Sequence, residues 1–187
     1  LRNHDYSRPY SHMVDYLDRM DNSIFMAVPP ARDPGRVLAA LGPKMLELSA
    51  TKANGAHPYF TTPEHTAISR GIIGDDALLA PEQMVVLETD PVEGRRIARS
   101  AMKMYLERPN YFNNLRRLGF TEEDWADGGS DRLVDAIVAW GDESAIARRV
   151  AEHHAAGADH VCIQVITAGG RSSSPVEQLK RIAPALV

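Results

Sequence analysis

Several features that mark specialised classes of protein are missing from this sequence. Cys162 is the only cysteine among 187 residues, which excludes an intramolecular disulfide and a metal site built from several cysteines. No apolar run approaches the roughly 20 residues that a membrane-spanning helix needs. The net charge of -4 and the pI near 6.0 give no field that would attract nucleic acid. We therefore expect a cytoplasmic protein that binds neither membranes nor nucleic acid.

Common catalytic and metal-binding motifs are also missing. The sequence contains no Walker loop, no Gly-x-Ser-x-Gly elbow and no GxGxxG fingerprint, which argues against nucleotide hydrolysis and nicotinamide binding. His153 and His154 lie in a predicted helix without a third ligand at a suitable spacing, so we expect no metal site. We interpret both as surface histidines.

The residues that are present form alternating βα units. Short apolar runs alternate with longer amphipathic ones, which is typical of parallel strands joined by helices. The predicted strands are residues 36–41, 55–60, 83–88 and 160–166. The predicted helices are residues 44–53, 64–70, 91–107, 110–118, 131–140 and 143–156, with a closing helix from Pro175. Thr62 is the predicted cap of the second of these helices, and Pro63 is its first residue. Parallel strands need both faces covered, so this pattern predicts an α/β fold, either a doubly wound sheet or part of a barrel.

A set of short segments occurs in a fixed order across nearly the whole chain. The segments are residues 37–46, 53–59, 62–66, 79–83, 110–111, 114–120, 128–135 and 156–161. Together they resemble the luciferase-like monooxygenase superfamily, and within it a subgroup of probable F420-dependent oxidoreductases. The resemblance implies a TIM-like (β/α)8 barrel of the bacterial luciferase type, of which this chain represents strands five to eight.

The resemblance also predicts how the chain is organised. We expect one partial barrel domain over residues 1–187, with a linker and entering helix over 1–34. The βα units then occupy residues 35–187, with a helical insertion around 108–140. The half that carries strands one to four is absent and the first residue is Leu1, so we expect a truncated or processed chain.

Barrel active sites lie at the carboxyl ends of the strands, so residues after each predicted strand are the site candidates. Gly42 permits close approach of a ring or a phosphate, and the helix that follows offers N–H groups to an anion. A tight βα turn that needs glycine is the alternative interpretation. The resemblance implies that this segment holds a flavin or deazaflavin. Its residues are Ala39, Ala40, Leu41, Gly42, Pro43, Lys44 and Met45.

Three further residues are candidates for contact with substrate. His57 and Tyr59 follow the second predicted strand, and His57 is able to donate a proton or a hydrogen bond. Arg171 follows the last predicted strand in a glycine-rich loop and suits an anionic group. Glu82 is interpreted as a salt-bridge or capping residue that precedes its strand. Arg116 and Arg117 are interpreted as part of a solvated helix face.

The resulting functional prediction is an F420-dependent oxidoreductase that moves a hydride between the deazaflavin and a small organic substrate. Two alternatives stay open: an FMN-dependent monooxygenase of the same fold, or a non-catalytic half-barrel that acts in binding or self-association. A half-barrel exposes two sheet edges, so we also expect a homo-oligomer.

Overall fold

A computed structural model describes residues 7–32, 34–170 and 173–186. Its helices are α1 (Pro9–Asp21), α2 (Pro43–Lys52), α3 (Pro63–Ile73), α4 (Pro91–Met102), α5 (Pro109–Arg117), α6 (Glu122–Trp125), α7 (Asp131–Ile137), α8 (Glu143–Ala155) and α9 (Val176–Ile182). Its strands are β1 (Gly55–Ala56), β2 (Leu78–Leu79), β3 (Glu82–Val86), β4 (Val138–Trp140) and β5 (Cys162–Val165). No helix of the described residues is long and apolar enough to cross a membrane.

Local sequence signals determine where several helices begin. The helices α1 to α5 each start at a proline, whose missing N–H and fixed φ suit the first helical position. Thr62 precedes α3 and accepts a hydrogen bond from the His65 backbone N–H. Asp90 caps α4 and Asp142 caps α8 in the same way. The predicted start of α3 at Pro63 with Thr62 as its cap is therefore confirmed.

The strands are short, parallel and arranged around β3. β4 and β5 pair with opposite edges of β3, and β1 pairs with β2. The Glu82 N–H donates to the Pro58 carbonyl, so backbone hydrogen bonds link the segment after β1 to the start of β3. Leu38 adds one parallel bridge to Ala56 at the other side of β1. Within the described residues, the strands do not close into a barrel.

β3 presents two faces to two sets of helices. Met84 and Val86 pack against α4 and α7, and we call their side the α4 face. Val85 points the other way, against Ile146 of α8 and Ile182 of α9, and we call that side the α8 face. Side chains alternate along a strand, so Glu82 belongs to the α4 face and Gln83 to the α8 face.

The α/β class and most helix positions are confirmed, whereas several predicted boundaries are wrong. The strand predicted over 55–60 covers only Gly55–Ala56. Residues 131–140 are not one helix, because Val138–Trp140 is β4 and pairs with β3. The predicted helix over 91–107 ends at Met102, and turns occupy residues 103–107. Residues 36–41 contribute only the bridge at Leu38, because the chain turns into α2 at Gly42.

Candidate functional site

A cavity of about 610 Å³ lies between α4, the turns that follow it and the carboxyl end of β5. Apolar side chains such as Met84 and Ile97 line it, together with the polar side chains of Gln164, Tyr105 and Thr167. Ligand cavities of roughly 300–1,000 Å³ commonly combine an apolar wall with a few polar groups. This cavity also lies where α/β proteins bind ligands, at the carboxyl end of a parallel strand. It is therefore our candidate site.

Two tyrosines and a glutamine form a hydrogen-bonded chain at the wall of the cavity. The Tyr59 hydroxyl donates to Gln164 Oε1 at 2.5 Å and lies 3.0 Å from the Tyr105 hydroxyl. Tyr59 has one hydroxyl proton, so Tyr105 must be the donor in the second bond. Burial, the bond to Tyr105 and the charge of Glu82 raise the pKa of Tyr59. Tyr59 therefore stays protonated, and the direction of the chain is fixed.

Glu82 is a buried acid beside this chain, on the same α4 face. Its side chain is only 3% exposed, and its Oε2 accepts a hydrogen bond from the Phe60 N–H at 3.1 Å. Its Oε1 is buried and has no hydrogen-bond partner in the described part of the chain. Burial raises the pKa of Glu82 to about 7, and the Phe60 N–H opposes that rise. The prediction of a salt bridge or helix cap at Glu82 is wrong: Glu82 begins β3, and its carboxylate accepts from the Phe60 N–H and forms no salt bridge with a described residue.

The predicted cofactor segment lies elsewhere, at the start of α2. Gly42 precedes the helix, and the Arg117 guanidinium is the nearest group to the open side of Gly42: a β-carbon built there would lie 3.8 Å from Arg117 Nη1. A helix N-terminus next to a guanidinium suits an anion such as a phosphate. The Leu41 carbonyl accepts from His65 Nε2 at 2.9 Å, so this oxygen is already occupied.

Exposure differs along the predicted segment. Ala40 is buried, and Leu41, Gly42 and Met45 are half-buried, whereas Ala39, Pro43 and Lys44 are exposed. The open positions therefore cluster at the first turn of α2. An anion could reach this turn from solvent, since the exposed residues and Arg117 leave it uncovered.

The two predicted substrate residues within the described structure have different environments. His57 Nδ1 lies 2.5 Å from the Ala80 carbonyl, which ties its ring to the neighbouring chain segment. Tyr59 does not line the cavity itself but bonds to Gln164 and Tyr105, which do. Arg171 lies outside the described residues. The cavity and the start of α2 are thus separate groups of residues. Of the residues predicted from sequence, Tyr59 bonds to the cavity wall and Gly42 lies at the start of α2.

Sequence reasoning did not nominate Gln164, Tyr105 or Arg117. Gln164 is a lone polar residue in the apolar run of β5, and such an interruption is the one local signal that could have identified it. Tyr105 lies in the turns that replace the end of the predicted helix. Arg117 approaches Gly42 only through the tertiary fold, so its role has no local signal.

No family model matches the chain, and no curated protein matches its sequence. Its fold, however, matches solved structures. An F420-dependent secondary alcohol dehydrogenase in complex with an F420–acetone adduct shares 11% identity over 100% of this chain and 65% of its own, with a TM-score of 0.71. The coenzyme F420-dependent tetrahydromethanopterin reductase from Methanopyrus kandleri shares 17% identity over 81% of this chain and 50% of its own, with a TM-score of 0.62.

An EDTA monooxygenase from Chelativorans sp. BNC1 shares 12% identity over 85% of this chain and 45% of its own, with a TM-score of 0.58. At this level of identity the likeness shows a shared fold, and the expected α/β fold is confirmed by it. The chain spans between about half and two thirds of the length of these structures.

Proposed function

We propose that this chain forms part of a luciferase-like oxidoreductase that uses coenzyme F420 and acts on a small organic substrate. The fold shared with two F420-dependent enzymes supports the class of protein. The observation in this chain that carries the cofactor proposal is the Arg117 guanidinium beside Gly42 at the start of α2. When bound, the deazaflavin supplies the ring that accepts or donates a hydride.

The residues of this chain have binding and positioning roles in the proposal. The first turn of α2 and Arg117 hold a phosphate of the cofactor through N–H groups and positive charge. The apolar wall of the cavity excludes water from a substrate, and the chain from Tyr105 through Tyr59 to Gln164 positions it. His57 supports the strand end from which Tyr59 extends.

FMN is the alternative cofactor, and the fold shared with the EDTA monooxygenase supports this alternative. Both cofactors carry a phosphate, so the start of α2 suits either. A direct titration of the chain with F420 and, separately, with FMN, followed by fluorescence quenching, decides between them. Tight binding of one of the two names the cofactor, and binding of neither contradicts the proposal for this chain.

Arg117→Ala tests which residues hold the cofactor. We expect it to weaken binding about tenfold or more, because a charge-assisted hydrogen bond contributes roughly 1.5–3 kcal/mol. Arg148→Ala, which removes an exposed arginine from α8, is the matched control and should leave binding unchanged. If both variants bind the cofactor like the unmodified chain, the site at α2 is wrong.

We also propose that the chain self-associates. β5 pairs on one edge with β3, and its other edge pairs with no strand in the described part of the chain. An open strand edge is a template for pairing with another chain. Sedimentation of the titrated samples measures this directly: a dimer or larger species is expected, and a well-folded monomer argues against self-association.

A further inference from the structure

The hydrogen-bonded chain at the cavity wall leaves one donor and one acceptor without partners. Gln164 Oε1 is occupied by the Tyr59 hydroxyl, so the remaining polar group of Gln164 is its Nε2 amide. Nε2 makes no hydrogen bond to any described residue. Tyr105 gives its proton to Tyr59, so its oxygen keeps its accepting capacity. Both residues line the cavity.

These two groups are held in place before any ligand arrives. Tyr59 fixes the amide of Gln164, and the Tyr105 ring stacks on the buried Phe60 ring with 4.9 Å between their centroids. Gln164 also lies in β5, in register with Met84 of β3. A pre-ordered donor and acceptor lose little conformational entropy when they bind a ligand.

The residues of β3 and β5 that line the cavity beside this pair carry no formal charge. Glu82 of β3 does not line the cavity, but its charge acts on Tyr59. Met84 and Ile166 flank Gln164 with apolar surface. The charged residues that line the cavity, Arg96, Lys103 and Glu107, are exposed, so water screens them. Arg96 is also paired with Glu93 on its own helix. The wall at the polar end of the cavity is therefore uncharged, and the charge of Glu82 behind Tyr59 disfavours an anionic ligand there.

The chemistry of the pair selects the kind of group that it can bind. A carboxylate has no proton to donate, so its oxygens would face the lone pairs of Tyr105. A carbonyl alone would leave the Tyr105 oxygen unpaired. A hydroxyl or a primary carboxamide satisfies both groups, because each accepts from Gln164 Nε2 and donates to the Tyr105 oxygen.

We propose that the cavity binds a small apolar molecule through a neutral group that both accepts and donates a hydrogen bond, either a hydroxyl or a primary carboxamide. This names a substrate class for the oxidoreductase proposed above and to that extent rests on it. Binding itself requires only the residues of this chain.

Benzyl alcohol, benzamide and benzoate form a matched set of probes, because they share a ring and differ in the polar group. NMR spectra of the ¹⁵N-labelled full chain would follow the side-chain amide signals of Gln164 during each titration. We expect these signals to move with benzyl alcohol, with benzamide or with both. Benzoate should bind at least about tenfold more weakly, because it cannot donate a hydrogen bond to the Tyr105 oxygen. The neutral probe that binds more tightly identifies the class. Equal binding of benzoate, or Gln164 signals that move with no probe, would overturn the proposal.

Gln164→Leu removes the donor at nearly constant size. We expect it to weaken binding of the favoured neutral probe about tenfold. Gln178→Leu on α9, outside the cavity wall, should leave the affinity for this probe unchanged. Unchanged binding by Gln164→Leu would contradict the proposal.

Tyr59→Phe provides a second route if Gln164→Leu does not fold. It removes the hydroxyl that fixes the Gln164 amide, so the neutral probes should bind about fivefold more weakly, as expected for one lost neutral hydrogen bond. Tyr16→Phe, at an exposed position of α1, is its control. Unaltered affinity in Tyr59→Phe would argue against a positioning role.

Titration of the same samples with F420 and FMN separates this inference from the proposed function. Binding of a cofactor without any neutral probe would refute the substrate class and leave the oxidoreductase proposal standing. Binding of a neutral probe without either cofactor would support the cavity assignment and count against the proposed function.

Discussion

Gln83 and Glu82 are neighbouring polar residues on opposite faces of β3, and they differ in whether their side-chain atoms have hydrogen-bond partners. On the α8 face, Gln83 donates to the carbonyls of Met84 and Ile137 and accepts from His153, whose second ring nitrogen accepts from Thr66. Every polar side-chain atom of this network has a partner. On the α4 face, Glu82 Oε1 has none in the described structure. The amide of Gln164, on the neighbouring strand β5, makes no hydrogen bond to a described residue.

This difference indicates what each face contributes. A fully satisfied network joins α3 and α8 to β3 and stabilises the fold, since breaking it leaves buried groups unpaired. A buried acceptor without a partner, such as Glu82 Oε1, costs stability, and proteins tend to retain such groups near functional sites. We therefore expect the network on the α8 face to stabilise the fold and the α4 face to take part in the binding proposed above.

The largest expected effect comes from removing the centre of the α8 network. His153 is completely buried, and burial lowers the pKa of its ring to about 4, so it is neutral at pH 7. We expect His153→Leu to lower the free energy of unfolding by about 3 kcal/mol, because Gln83 and Thr66 lose their partner. Denaturant unfolding measures the change.

A matched control and a second measurement sharpen this prediction. His160→Leu changes an exposed histidine and should cost less than about 0.5 kcal/mol. Provided the protein stays folded, neither variant should alter binding of benzyl alcohol or benzamide. If His153→Leu weakened the binding of these probes while stability was unchanged, the division between the two faces would be wrong.

The second prediction concerns Glu82 on the α4 face. Its pKa is about 7 in the folded chain and near 4.5 without burial, so the folded state binds more protons between these values. The free energy of unfolding therefore falls as pH rises from about 4.5 to 7, by about 3 kcal/mol, and stays level above pH 7. Glu82→Gln should remove this contribution.

Comparison of the two proteins across pH isolates Glu82 from the histidines. The lowered pKa of His153 has the opposite sign, because its contribution is lost as pH falls from 6.5 toward 4. Glu82→Gln leaves His153 in place, so the difference between the two stability curves belongs to Glu82. Parallel curves from pH 5 to pH 8 would mean that Glu82 ionises normally.

The two faces also differ in which of their features local sequence signals predicted. Local signals identified the α/β class, the cap at Thr62 and the positions of α2 and α8, because caps, prolines and periodicity act within a few residues. Local signals did not identify the burial of His153, because its partner Gln83 is 70 residues away in the chain. The interpretation of His153 as a surface residue is wrong for that reason.

The candidate site was less predictable than the fold. Tyr59 was nominated, but its partners Gln164 and Tyr105 meet it only through packing of distant segments. β4 is three residues long and is defined by pairing with β3, so a helical period over 131–137 extended too far. Gly42 was identified by its turn, whereas Arg117 beside it depends on where α5 packs.

The smallest expected effects come from the helix caps of the two faces. Asp142 accepts from the Ala145 N–H at the start of α8, and Asp90 accepts from the Val92 and Glu93 N–H groups at the start of α4. Asp142→Ala and Asp90→Ala should each lower the free energy of unfolding by about 1 kcal/mol, as typical cap substitutions do. The two caps should therefore have similar effects on stability.

The two helices differ in whether they line the cavity. Because α4 forms a wall of the cavity and α8 does not, only Asp90→Ala should also weaken binding of the neutral probes. We expect a loss of about twofold, because fraying of the first turn of α4 disturbs the cavity wall only indirectly. Equal binding losses in both variants would show that the cavity responds to overall stability, and the distinction between the α4 and α8 faces would then have to be abandoned.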